Sequence, residues 1–231
     1  MKISICPDNA GRILRRTAMT ALLMAGFTAS GLQAAQADPL LDEVVEFTGA
    51  VFSVEHKIPA LVIGVVRNGE ISVHGFGERA GKGSKPPDGD TIMRIGSITK
   101  AFTGEVLAHL SAGNTVQLTQ PLTQSWPELA REAKADVGHL RLIDLVTHSG
   151  GLPREAPHQP GSETDPFAAM TVETFTDWLK KEPLLFKPGR AVLYSNFGFD
   201  LLALGLSKAA NAPFPTLVKR YITDPLKLKD T

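Results

Sequence analysis

Two apolar runs, Ala60 to Val66 and Ile71 to Phe76, flank Asn68-Gly69, and this arrangement constrains the fold more than any other stretch of the chain. Asparagine and glycine tolerate the positive φ of a two-residue turn, so the runs predict a β-hairpin. Most other segments carry helical patterning. Pro39 to Glu55 spaces Leu41, Val44, Val45, Phe47 and Val51 as an amphipathic helix, and Ile98, Phe102, Val106 and Leu110 recur every fourth residue before Gly113-Asn114 stops the run. Further helices are predicted over 142–147, 172–181, 197–210 and 214–223. Gly81 to Asp90 and Gly150 to Asp165 are rich in glycine and proline and predict loops, the second long enough to border a site. One hairpin followed by helices is an α+β arrangement. A lone hairpin is marginal in water, so its sheet is expected to gain strands, and a bare edge would invite aggregation.

The first 37 residues read as an export leader. Lys2, Arg12, Arg15 and Arg16 form a basic start, Ala18 to Phe27 an apolar stretch too short to span a bilayer stably, and Ala35-Gln36-Ala37 a small-residue cleavage site before Asp38. Cleavage after Ala37 and a periplasmic destination are the expectation. The whole chain has 24 basic and 24 acidic residues. Removing the leader's four basic residues and one acid leaves 20 and 23, a net charge of −3, which implies no nucleic-acid surface. The single cysteine, Cys6, lies in the leader, so residues 38–231 hold neither a disulfide nor a thiol nucleophile.

Ser97-Ile98-Thr99-Lys100 heads the second helical run, and Tyr194-Ser195-Asn196 follows about a hundred residues later. A serine hydroxyl is a weak nucleophile until a base lies within hydrogen-bond reach. Residues three apart share a helix face, so the Lys100 amine can return over the preceding turn toward Ser97. Tyr194 is a second candidate proton carrier, and Asn196 an amide able to hold a substrate. Each residue also has a plainer reading: a surface serine, a solvated lysine, a core aromatic and a helix cap. Ser149 is a rival hydroxyl without a G-x-S-x-G elbow, and His148 reads as fixing a helix-to-loop corner rather than carrying protons. The histidines lack zinc-site spacing, and the glycine clusters lack the Lys-Ser/Thr of a phosphate loop. Trp126 and Trp178 read as packing residues. No metal or organic cofactor is implied.

Four blocks in order give the chain, from about Leu41 to Thr231, a resemblance to the penicillin-recognising serine hydrolases of the class C β-lactamase-like branch. They are Met93-Arg94-Ile95-Gly96-Ser97-Ile98-Thr99-Lys100, Leu145 to Pro153, Lys187-Pro188-Gly189 leading into Tyr194-Ser195-Asn196, and Pro225 to Thr231. Leu152 to Pro157 and Tyr194 to Leu202 look most like AmpH-type D-alanyl-D-alanine carboxypeptidase/endopeptidases. The resemblance implies a β-lactamase/transpeptidase-like fold, an antiparallel sheet flanked by helices plus a helical lobe. It also implies Ser97 as the acylated nucleophile, Lys100 as its activator, Tyr194 as a proton relay that later activates water, and Asn196 as a substrate contact. Lys100 and Tyr194 form a coupled pair, with the acylation base left open between them. The implied partners are peptidoglycan peptides or β-lactams, with peripheral contact to the inner membrane. A β-lactamase or esterase, and a penicillin-binding sensor without turnover, are the alternatives. In the family a late Lys/His-Thr/Ser-Gly-type segment supplies a second oxyanion N–H, and no K-T-G, K-S-G or H-T-G occurs here. Losing one such donor costs about 10²–10³ in rate. The chain is therefore expected to be the N-terminal, C-terminally incomplete part of the family domain, inactive by itself.

Overall fold

The computed structural model describes residues 35–36, 38–133, 135–156, 165 and 167–231. Apart from Ala35-Gln36, the leader expected over 1–37 lies outside the described residues. The chain divides into two compact units, residues 1–92 and 93–231.

In the first unit, helix α1 (Pro39–Glu55) begins where the Asp38 side chain accepts the Leu40 N–H, with proline at the first turn where no donor is needed. Its buried stripe is Leu41, Val45, Gly49 and Ser53, four residues apart. Val44, Phe47 and Val51, which the amphipathic reading grouped with them, are exposed. A helix lying on a sheet buries one narrow stripe, and small side chains at 49 and 53 let the backbones come close. Strands β2 (Ala60–Arg67) and β3 (Glu70–Gly77) pair antiparallel from Ala60↔Gly77 to Arg67↔Glu70. The turn between them has Asn68 at φ 53° and Gly69 at φ 85°, as the sequence predicts. Strand β1 (Ala35–Gln36) adds a two-residue parallel edge to β3, giving the order β1-β3-β2. Ser72 Oγ and His74 Nε2 both reach Asp42 Oδ1, at 2.7 and 2.8 Å, and tie β3 to α1.

The second unit is helical. A 3₁₀ turn, Gly96–Ile98, runs directly into α2 (Thr99–Ala112), which ends at Gly113 with Asn114 at φ 57°. Thr103, Val106, Leu107 and Leu110 are buried, whereas Ile98 is 65% exposed. The three-residue period of the preceding turn puts Ile98 out of phase with the helix's apolar stripe. Short helices α3 (Leu122–Ser125) and α4 (Pro127–Glu132) and a 3₁₀ segment, Ala135–His139, follow, none of them foreseen from periodicity. Backbone bonds fix them: Leu122 N–H donates to Leu140 O at 2.7 Å and Leu142 N–H to Gln120 O at 3.1 Å. Helix α5 (Leu142–Val146) starts on an ion pair in which Arg141 Nε and Nη2 each donate at 2.8 Å to the buried Asp144 carboxylate. Helices α6 (Val172–Lys181), α7 (Asn196–Ala209) and α8 (Phe214–Val218), the last prolonged by a π-helical turn Lys219–Thr223, complete the unit.

Helix α7 is the central element, packing on α2, α3, α5 and α8. Phe197, Leu201, Leu202 and Leu206 on it are fully buried, each contributing about 1.5–3 kcal/mol relative to exposure. Trp126 is buried and Trp178 meets Phe197 edge-on, both as packing residues. The segment after α5 runs beside residues 185–193: Leu185 N–H donates to Gly151 O (2.7 Å), Gly189 N–H to Ser149 O and Leu193 N–H to His148 O (both 2.9 Å). Only glycine fits at 151, where φ is 72° and an added Cβ would lie 2.1 Å from Phe186 O.

Candidate active site

Ser97 lies in the 3₁₀ turn and Lys100 in the first turn of α2, so their spacing of three puts Lys100 Nζ 3.4 Å from Ser97 Oγ. Tyr194 comes from the segment entering α7, and its hydroxyl lies 2.6 Å from the same Oγ, with either atom able to donate. Asn196 is the first residue of α7, and its Oδ1 accepts from Lys100 Nζ at 2.6 Å. All four residues singled out in the sequence thus meet at one place.

Tyr194 is held from several sides. Its ring packs against His148 in a tilted arrangement at 4.4 Å between centroids, with the Arg154 guanidinium 4.9 Å and Lys100 Nζ 5.0 Å from its centre. The next residue, Ser195, donates its N–H to His148 Nδ1 at 3.1 Å. A ring nitrogen that accepts a backbone N–H carries no proton, so His148 is neutral with its hydrogen on Nε2. Burial first, and then Lys100, lower the His148 pKa below its ordinary value. His148 therefore supports the corner, at φ 58°, and its Nδ1 is not a free base. Ser195 Oγ accepts the Gly198 N–H (2.8 Å) and donates to Pro153 O (2.6 Å), capping α7 and anchoring the loop before Arg154.

The electrostatics favour proton exchange at this point. Hydrogen bonding with Lys100, and next with Ser97, lowers the Tyr194 phenol below its usual value, and the charges of Lys100 and Arg154 add to this. A phenol of lowered pKa gives up its proton more readily, and the resulting phenolate can accept the serine proton and later return it. Glu155 and Asp200, which fall within the resembling blocks Leu152 to Pro157 and Tyr194 to Leu202 but gained no role from the sequence, lie in the same cleft. Asn196 Nδ2 donates to Glu155 Oε1 at 2.5 Å. Asp200, one turn beyond Asn196, has its pKa pushed up to about 6, by burial first and by Glu155 second, against an opposing pull from Lys100. Only the i, i+4 spacing of Asn196 and Asp200 could have hinted at this.

The cleft has a volume of about 560 Å³ and is lined by Ser97, Lys100, Glu155, Asn196, Phe199 and Asp200 among others. A larger cavity of about 990 Å³, between Pro153 and residues 174–185, contains none of the four predicted residues. Reactive groups, rather than size, distinguish the smaller one. Ser149 stands apart: its hydroxyl pairs with Thr147 Oγ1 at 2.9 Å and Asp144 O at 3.5 Å. Among the described residues no cluster of three or more His, Cys, Asp or Glu could hold a metal ion.

A hydroxyl within hydrogen-bond reach of two proton carriers is an arrangement able to support acyl transfer. Residues 30–231 match the family model described as beta-lactamase. The chain belongs to the beta-lactamase family. It is 36% identical over 160 residues to the D-alanyl-D-alanine-carboxypeptidase/endopeptidase AmpH of Escherichia coli, covering 68% of this chain and 40% of that protein. It is 31% identical over 191 residues to a beta-lactamase of Pseudomonas fluorescens, covering 82% and 50%. Among solved structures it is similar to a beta-lactamase/D-alanine carboxypeptidase from Yersinia pestis complexed with citrate, at 30% identity and a TM-score of 0.63, over 84% of this chain and 55% of that one. A class C beta lactamase from Rhodobacter sphaeroides superposes with a TM-score of 0.64 at 29% identity, over 80% and 50%. The fold is accordingly that of the β-lactamase/transpeptidase-like α+β proteins. The chain spans about half the length of the relatives it matches.

Proposed function

We propose that the protein is an exported serine hydrolase that acylates Ser97 with D-Ala-D-Ala-type peptidoglycan peptides, as a carboxypeptidase/endopeptidase, and that the same hydroxyl reacts with β-lactams. The observation that carries this reading is the placement of Ser97 Oγ 2.6 Å from Tyr194 OH and 3.4 Å from Lys100 Nζ. Similarity to AmpH supports the peptidase rather than the lactamase.

In this mechanism Ser97 Oγ attacks the scissile carbonyl while its proton passes to the Lys100–Tyr194 pair. The pair then protonates the departing amine, and the same groups take a proton from the water that hydrolyses the ester. Asn196 gives one Nδ2 hydrogen to Glu155 and retains a second for a substrate carbonyl. Export rests on the basic, apolar and Ala-x-Ala order of residues 1–37, with cleavage after Ala37 to be checked by N-terminal sequencing of the periplasmic and inner-membrane fractions.

The test exposes full-length protein to a penicillin and to a pentapeptide ending in D-Ala-D-Ala, and follows intact mass and amino-acid release. Release of D-alanine supports the peptidase. Rapid loss of adduct with lactam hydrolysis and no D-alanine would make it a β-lactamase, and a persistent adduct without turnover would make it a sensor.

A further inference from the structure

We propose that Glu155 is a positioning residue of the acylation site: its carboxylate sets the orientation of the Asn196 amide, and through that amide it holds Lys100 against Ser97. This rests on the reading of Ser97 as the acylated nucleophile. An asparagine amide has a donor end and an acceptor end of nearly equal size, so its neighbours decide which way it faces. An ionised carboxylate only accepts. Glu155 Oε1, at 2.5 Å, therefore requires Nδ2 on its side and turns Oδ1 toward Lys100 Nζ at 2.6 Å. With the amide reversed, N–H groups would face N–H groups across the Asn196–Lys100 contact.

That contact matters because lysine is a long, freely rotating side chain and its link to Ser97 is the looser one, at 3.4 Å. The carboxylate is itself fixed to the helix that bears the amide. Arg154 O accepts the N–H groups of Asn196 (2.8 Å) and Phe197 (3.3 Å), and Pro153 O accepts the Ser195 hydroxyl. Glu155 and Asn196 are thereby held in register, although 41 residues separate them in the chain.

Glu155→Gln keeps the shape but can accept or donate, so both amide orientations become compatible, and Glu155→Ala removes the partner. In the full-length protein the acylation rate constant for a penicillin should fall about 10-fold in the first and about 100-fold in the second, the range of one hydrogen bond to a charged group. Non-covalent affinity should fall less than the rate constant, since binding loses only the substrate-facing Asn196 contact whereas the chemical step also loses the hold on Lys100. The Asn196 side-chain amide signals in a ¹H–¹⁵N spectrum should shift in both variants. Acylation of Ser97 at the parental rate in both, or Asn196 amide signals unchanged by Glu155→Gln, would overturn the assignment. A parent protein that takes no label at Ser97 would sink the hydrolase reading instead, and the amide spectrum would still decide this one.

Discussion

Replacing Tyr194 by phenylalanine removes a single oxygen, and the structure separates what that oxygen does from what the ring does. The ring keeps its tilted contact with His148 at 4.4 Å and its contacts with Arg154 and Lys100 at 4.9 and 5.0 Å. The lost interactions are the hydrogen bonding with Lys100 and the 2.6 Å hydrogen bond to Ser97 Oγ. Folding stability should change little, because the packing of the ring is retained and the lost hydrogen bonds are exchanged for bonds to water. Acylation should be hit far harder. A positioned acid–base group contributes about 10²–10⁴ in rate, equivalent to about 3–5.5 kcal/mol of barrier. Stopped-flow acylation by a chromogenic cephalosporin, with thermal unfolding in parallel, measures both. The parental rate should also rise with pH below the ordinary phenol pKa, as the Lys100–Tyr194 pair loses a proton, because Lys100 and Ser97 lower the Tyr194 value. That limb should vanish in Tyr194→Phe. Acylation within threefold of the parent, or a pH profile unchanged by the substitution, would refute the acid–base role.

Two further predictions concern stability. Asp200 has a folded-state pKa of about 6 against 3.8 for the free group, so the folded state holds the extra proton between these values and stability is lost as pH rises through that window. Asp200→Asn should raise stability at pH 8 by on the order of 1–3 kcal/mol, discounted for partial exposure, and change little at pH 4; urea unfolding at the two pH values checks this. Gly151→Ala meets a φ of 72° and a carbonyl oxygen 2.1 Å from the new Cβ. It should cost on the order of 3 kcal/mol or more in the same assay, and a neutral result would mean that the segment beside Phe186 is less constrained than the structure shows.

Local chemistry was readable wherever neighbours in sequence are neighbours in space. Asn68-Gly69 specified its turn because the required φ values belong to those residue types, and Ser97 with Lys100 specified a shared face through helix geometry. Tyr194 and Asn196 were identifiable as a pair, but their meeting with Ser97 depends on α7 packing against α2, which spacing does not encode. Glu155 was hidden in a proline-rich loop, where no period marks which way a side chain points. Helices α3 and α4 escaped notice because four to six residues hold no repeating stripe, and backbone bonds from 118–122 to 140–143 set their ends. The exposed side chains of Val44, Phe47 and Val51 show the opposite failure: apolar character alone does not define the buried stripe of a helix lying on a sheet.

The acylated residue itself tests the account most directly. After exposure of the full-length protein to penicillin, proteolytic mapping by mass spectrometry should place the adduct on the peptide containing Ser97, and Ser97→Ala should carry none. An adduct on Ser149 or any other side chain, or one that persists in Ser97→Ala, would contradict the assignment of the nucleophile and the mechanism built on it.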